Sequence, residues 1–349
     1  MKPLPPTPRE LGFAMPAEWE PHEATWLSWP KDPVTWPDRV PKVETVFVEM
    51  MRALTPHERV DLLVDDARTE AKVAKRLTAE GIDNVRFHRV PTADSWIRDY
   101  GPNFLKRPQK NNTEVAYNRW RFNAWGGKYD TLLRDDGIPE RLPTIQRLRR
   151  FAPGLVMEGG SIEVNGEGTV LTTEQCLLNK NRNAGRTRSE IEAALRDHLG
   201  VEQVLWLPEG IVGDDTDGHI DDIARFTDAR TIVAAEEPDP KNDNHAILEE
   251  NLRILKGMRD PKGRPFRVET LPMPGRIETD DGDPLPASYA NFYIANHVVL
   301  LPVFGHANDR RAETILRSLF PKRNVVPIRC EDLIWGMGTI HCVSQQQPA

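Results

Sequence analysis

Cysteine is scarce in these 349 residues: Cys176, Cys330 and Cys342 are an odd number at wide spacing. That excludes a disulfide framework and a CxxC zinc pattern, and it suits a reducing cytosol in which a free thiol persists. Long apolar runs are missing too. No stretch approaches the roughly 20 residues that cross a bilayer. The opening MKPLPPTPRELGF has neither an apolar run of signal-peptide length nor a small-residue cleavage site, so the expectation is a cytoplasmic protein that makes no use of membranes. Positive charge is in deficit, 46 Lys and Arg against 53 Asp and Glu for a net charge of −7, which argues against a nucleic-acid or anionic-lipid partner. Neither a P-loop nor a GxGxxG turn is present, so no nucleotide cofactor is expected. No Gly/Ser-rich linker divides the chain, and residues 1–349 are read as one domain.

Turn formers, by contrast, are plentiful: 30 Pro and 23 Gly accompany a hydrophobic content of 39%. Many short elements around a sizeable core follow from that balance. From Ser161, SIEV and TVLTTE flank an Asn165–Gly166 turn as a hairpin. A polar loop, a helix SEIEAALRDHL capped by Ser189 and ended by Gly200, and a strand VEQVLWL come next. The same order returns from Asp222 (IARF, TIVAAE, HAILEENLRILKGM, FRVETLP) and from Ser288 (ANFYIANHVVLLPV, RAETILRSLF, NVVPIR). Two looser copies precede them. One holds the strand around Thr25–Trp29, a helix Val43–Leu54 and a strand Val60–Val64; the other holds Pro102–Phe122, a helix ahead of Pro153 and a strand around Leu155–Met157. Recurrence at about 50-residue intervals implies a repeat architecture. Five ββαβ units would close a ring, with equivalent positions of successive units facing a common axis.

Polar segments sit where one unit passes to the next: DSWIRDYGP, EGGS, DDTDGHIDD and GMGTIHCVSQQQP. Cys342, in a glycine-rich stretch after His341, reads either as a nucleophile, if its neighbours favour the thiolate, or as a buried structural cysteine. Cys176 and Cys330, in or at the ends of apolar strands, read as inert core thiols. His219 and Asp221 alternate around Ile220, so an extended strand would place an imidazole beside a carboxylate on one face, whereas a solvated turn would give them no role. The acidic density there could hold a hard cation, but the spacing fails the EF-hand pattern. Trp96 and Asp99 offer a ring and a carboxylate, the pair that recognises guanidinium, or they end an ordinary turn at Gly101–Pro102. Glu158 reads as a turn acid or as a partner that fixes an imidazole tautomer.

In order along the chain, MPAEWEPHEATWLSWP, DSWIRDYGP, FNAWGGKYD, EGGSIEVNGEGTVLTTEQCLLNKNRN, TDGHIDD, ASYANFYI and IHCVSQQQP resemble the guanidine-modifying (pentein) superfamily. Within it the chain is similar to the agmatine deiminase and bacterial-type peptidylarginine deiminase family. The resemblance covers nearly the whole chain. It implies a five-bladed α/β propeller of pseudo-fivefold ββαβ units and a hydrolase acting on a small guanidine. It further implies Cys342 as nucleophile, His219 as general acid/base, Asp99 and Asp221 as guanidinium-binding carboxylates, Glu158 supporting the histidine and Trp96 lining the pocket. Neither metal nor cofactor has a role in that chemistry, and a homo-oligomer is compatible with it. Agmatine is the leading substrate and peptidyl-arginine the rival. Two departures from the family pattern stand out: Met337 interrupts a glycine triplet (Gly336-Met337-Gly338), and Asp222 follows the HID triplet where many agmatine deiminases carry Asn.

Overall fold

A computed structural model describes residues 5–110 and 112–349. Its strands form five separate sheets, one of four strands and four of three. Each of the four smaller sheets pairs its first two strands antiparallel and its last two parallel, the ββαβ pattern. The fifth sheet follows the same rule only because the C-terminal strand Ser344–Pro348 pairs antiparallel with His22–Ser28, which in turn runs parallel to Arg59–Val64. The chain therefore closes on itself, and the segment carrying Cys342 is tied to the first unit. A further parallel strand, Val85–Arg89, extends this sheet after the helix Ala67–Ala79.

The helices sit on the sheets as their patterning requires. Val40–Leu54 buries Val43, Val46, Phe47, Met50, Met51 and Leu54 along one stripe, the pattern of an amphipathic helix, and Val48 beside it. The strand Val298–Val303, VVLLPV, is buried at every residue, which explains why it reads as a continuous apolar run. No helix among the described residues is long and apolar enough to cross a membrane.

Five expectations about elements need correcting. The helix after the third unit's hairpin is Arg188–Leu199. Its cap is Thr187, whose hydroxyl accepts from the Glu190 N–H while the Glu190 carboxylate accepts from the Thr187 N–H. Ser189 lies inside the first turn. Gly200 does end the helix, at φ 68°. In the second unit, short helical turns at Asp130–Gly137, Ile138–Arg141 and Ile145–Arg147 replace the single helix, because Gly137, Pro139 and Pro143 interrupt any longer ladder. That unit's third strand is Arg149–Phe151, and Val156 makes only an isolated bridge to Arg121. The third unit's first strand is just Glu163–Val164, preceded by a 3-10 turn at Gly159–Ser161. Finally, Ile220–Asp222 is a 3-10 turn and not a strand. Gly218 at φ 83° and the Asp214 carboxylate, which accepts from the N–H groups of Gly218 and His219, bend the backbone there.

Candidate active site

Each unit enters its first strand through a short turn, and the five turns converge. Asp99 lies in the turn Ile97–Tyr100 before Asn103–Pro108, Glu158 caps Gly159–Ser161, and His219 caps Ile220–Asp222. Asn291 precedes the strand Tyr293–Ile294, and His341 and Cys342 precede Ser344–Pro348. Alternation along a strand does not bring His219 and Asp221 together; both approach Gly160. A Cβ on that glycine would stand 2.6 Å from His219 Nδ1 and 3.0 Å from both Asp221 Oδ2 and Asp99 Oδ1, so the close approach demands glycine. Gly338 plays a similar part, since its Cβ would meet the Trp96 ring at 2.8 Å and Cys342 Sγ at 3.1 Å.

Asp99 is fixed on both oxygens: Trp125 Nε1–H donates to Oδ2 and the Gly160 N–H to Oδ1, each at 2.9 Å. Asp221 Oδ2 lies 2.6 Å from His341 Nδ1 and 3.9 Å from Cys342 Sγ, while its Oδ1 is buried without a hydrogen-bond partner. The Asn291 amide donates to Cys342 Sγ at 3.1 Å and to Asp222 Oδ1 at 2.9 Å. His219 stands 3.9 Å from Asp99 through Nδ1 and 3.9 Å from Glu158 through Nε2, charge contacts longer than hydrogen bonds. The nearer partner of Glu158 is Arg182, whose Nε lies 2.6 Å away and which also pairs with Asp217. Cys176 is a fully buried core thiol, in the short helix Glu174–Leu177 and not a strand, and its Sγ lies 4.0 Å from Glu158 Oε2. Cys330 is buried away from these groups, at the end of Asn324–Arg329.

A cleft of about 190 Å³ reaches Asp99 and Cys342. Trp96, Trp125, Trp335 and Met337 wall it, with Asp32 and Asp215 among the remaining lining groups. Trp96 is held by its Nε1–H on Asp94 at 2.9 Å and packs against Trp36. Met337 adopts φ 72°, the left-handed conformation that favours glycine, at the position where the motif departs from a glycine triplet. Trp125 is likewise left-handed, at φ 52°, strain stored beside the site.

The electrostatics divide the carboxylates. Burial pushes Asp99 up to about 6; the His219 charge opposes this, and Asp221 and Glu158 add to it. Burial also acts to raise Asp221, but the hydrogen bond and charge of His341 outweigh it and hold the group below the usual range. For His219, burial disfavours the cation, yet Asp99, Cys176 and Glu158 together carry it well above its ordinary value, so the imidazolium dominates near neutrality. Burial, reinforced by Asp221, Asp222 and Asp99, drives the Cys342 thiol well up, and the free site holds a thiol rather than a thiolate. Asp222 is pushed up by burial and by Asp221 and Asp214, towards the neutral acid. A neutral carboxyl is the nearest such a group comes to an amide, which accounts for Asp where the family pattern has Asn.

Glu158, Cys176 and His219 bring three donors within 4.8 Å of one another, as do Asp221, Asp222 and Cys342. Neither set suits a cation. A metal needs deprotonated ligands; Glu158 and Asp221 are already paired with Arg182 and His341, while the remaining groups favour their protonated forms.

The structure thus brings together Cys342, His219, Asp99, Asp221, Glu158 and Trp96. Sequence reasoning missed Asn291, Trp125, Arg182 and His341 as site residues. Asn291 was reachable from the repeat, because it occupies in the fifth unit the position that carries a functional group in each of the others. Trp125, Arg182 and His341 lie inside the segments FNAWGGKYD, NKNRN and IHC, but no role was read for them there.

Residues 14–348 match the model of the Porphyromonas-type peptidyl-arginine deiminase family. The agmatine deiminase of Stutzerimonas stutzeri is 38% identical over 371 residues, covering 100% of this chain and 99% of the relative. That of Pseudomonas aeruginosa is 38% identical, covering 98% and 97%. Among solved structures, the agmatine deiminase of Enterococcus faecalis superposes with a TM-score of 0.89 at 31% identity, over 99% of this chain and 98% of that one.

Proposed function

The chain belongs to the Porphyromonas-type peptidyl-arginine deiminase family, and we propose that it hydrolyses agmatine to N-carbamoylputrescine and ammonia. One observation carries this reading: the Cys342 thiol and the Asp99 carboxylate line a cleft walled by indole rings, with Asp221 at 3.9 Å from the sulfur and the His219 imidazolium at 3.9 Å from Asp99 packed behind them. The agmatine deiminases that match at 38% identity over nearly the full length favour a free diamine-like cation over an arginine embedded in a polypeptide.

The chemistry follows from the charges. A guanidinium carbon is a poor electrophile because its charge is delocalised and its pKa exceeds 12. Asp99 and the free Oδ1 of Asp221 accept its N–H groups, and Trp96 and Trp125 offer ring faces to the cation. The arriving cation offsets the carboxylates that keep Cys342 protonated; the thiol proton leaves to solvent, and the Asn291 amide donates to the resulting thiolate. Sulfur attacks the guanidinium carbon, and the His219 imidazolium protonates one nitrogen of the tetrahedral adduct. The carbon–nitrogen bond breaks and ammonia departs, leaving a thiouronium on Cys342. Neutral His219 then takes a proton from water as it adds to that carbon. The second adduct collapses as its hydroxyl gives up the remaining proton and the carbon–sulfur bond breaks; Cys342 leaves as thiolate, takes up that proton to restore the thiol, and the neutral ureido product departs. Glu158, steadied by Arg182, keeps the imidazole charged and placed.

The reading takes residues 1–349 as a single catalytic domain, supported by the pairing of the terminal strands, and puts it in a reducing cytosol, supported by three free buried thiols. Its test is the ratio of kcat/KM for agmatine, free arginine and a blocked arginine peptide under the same conditions. Agmatine should exceed both by orders of magnitude. A peptide turned over faster than agmatine would transfer the assignment to protein arginine.

A further inference from the structure

Behind the cleft, a second imidazole is fully buried and bound at both ends. His341 Nδ1 lies 2.6 Å from Asp221 Oδ2, and Nε2 lies 2.8 Å from Glu18 Oε2. The ring is 1% exposed, Asp221 0% and Glu18 4%, so solvent screens none of these contacts. A neutral imidazole has one N–H and cannot donate to two carboxylates; the geometry calls for the cation. Glu18 is itself anchored, with its Oε1 accepting the Ile294 N–H at 2.7 Å and pairing with Arg225 at 2.9 Å. Arg225 also binds Glu163, so the row of alternating charges continues away from the site.

We propose that His341, clamped by Glu18, is the positioning residue that fixes the Asp221 carboxylate by Oδ2 and leaves Oδ1 alone to accept from the guanidinium. Oδ2 is committed to His341 and cannot swing away, and Oδ1 is left buried and unpartnered. The other carboxylate has no such cation bonded to it: Asp99 receives only an indole and a backbone N–H, and burial leaves it near 6. The two clamp groups are therefore unequal before substrate arrives: Asp221 is held below the usual carboxylate range, whereas Asp99 gives up its charge as pH falls through about 6. Other groups also act on Asp221. His219 and Arg225 favour its charge, whereas Asp99, Asp222 and Cys342 repel it when they ionise. Among the described residues His341 makes the closest hydrogen bond to it, at 2.6 Å, and the Cys342 thiol a distant second at 3.9 Å on the same oxygen.

This inference rests on the proposed deiminase reaction for its kinetic readout, but not for its structural one. His341→Gln keeps an amide near Asp221 without the charge, His341→Leu removes both, and Glu18→Gln loosens the clamp alone. The Asp221 carboxyl carbon, assigned with Asp221→Asn, is followed by ¹³C NMR against pH in substrate-free protein. Its midpoint should rise by about one unit or more in His341→Gln, and by less in Glu18→Gln. The acidic limb of kcat/KM for agmatine should move with it: His341→Gln falls ~10-fold behind at the acidic end and recovers towards alkaline pH. His341→Leu stays low throughout. An unmoved Asp221 midpoint in both charge-removing variants, or a loss in His341→Gln by the same factor at every pH, would overturn the proposal. A shifted midpoint in a protein whose wild type ignores agmatine would uphold the role of His341 and refute the substrate.

Discussion

Asp99 and Asp222 are carboxyls that the fold keeps above their ordinary range, and the sign of that shift can be tested. For an acid raised on folding, the associated stability is complete below the unfolded value, near 3.9, and is lost as pH rises through the folded one, here about 6 for Asp99. Ligand reverses the preference, because guanidinium needs the ionised form. Agmatine binding to Cys342→Ala, measured by calorimetry, should weaken ~10-fold per unit below about pH 6 and release protons in that range. Binding of constant strength across it would remove Asp99 from the clamp. At Asp222 the same sign predicts that Asp222→Asn, already hydrogen-bonded from Asn291, melts higher than wild type at alkaline pH. The gap should close on acidification. A lower melting temperature at every pH would show that the acid itself is required.

Local patterning made most of the helices and hairpins legible, because their apolar stripes and glycine stops are short-range signals. The helix stripe Val43–Leu54 and the stop at Gly200 lie where the residues put them. What the residues did not reveal was chosen by tertiary contact. HID alternates like a strand, but the Asp214 carboxylate gathers its backbone N–H groups into a turn. Ser189 and Thr187 are equally good caps by type, and only the reciprocal bonds to Glu190 select Thr187. Thr187→Ala should accordingly cost about 1 kcal/mol in urea unfolding, and Ser189→Ala a few tenths at most. The reverse ranking would restore the cap that the sequence suggested. Among site residues, Cys342, His219 and Asp99 announced themselves through motif. Glu18 and His341 lie in MPAEWEP and IHC, but their pairing spans the whole chain and has no local signature.

Over the whole molecule, the decisive contact joins the two ends. His22–Ser28 and Ser344–Pro348 share one ladder, and Cys342 sits two residues before it. Removing residues 344–349 should cost about 3 kcal/mol or more, from several ladder hydrogen bonds at roughly 1 kcal/mol each, and abolish activity with Cys342 still present. Urea midpoints and ammonia release measure both effects. The closed ring also explains why five turns from distant parts of the sequence can act as one site, with sulfur delivered by the last of them. That delivery is tested by acid-quenching the enzyme during turnover of saturating agmatine and weighing the intact chain. The account predicts a population heavier by agmatine less ammonia, mapped to the peptide holding Cys342, and predicts that Cys342→Ser shows neither adduct nor ammonia release while remaining folded. Ammonia released by Cys342→Ser at a rate near wild type would contradict it.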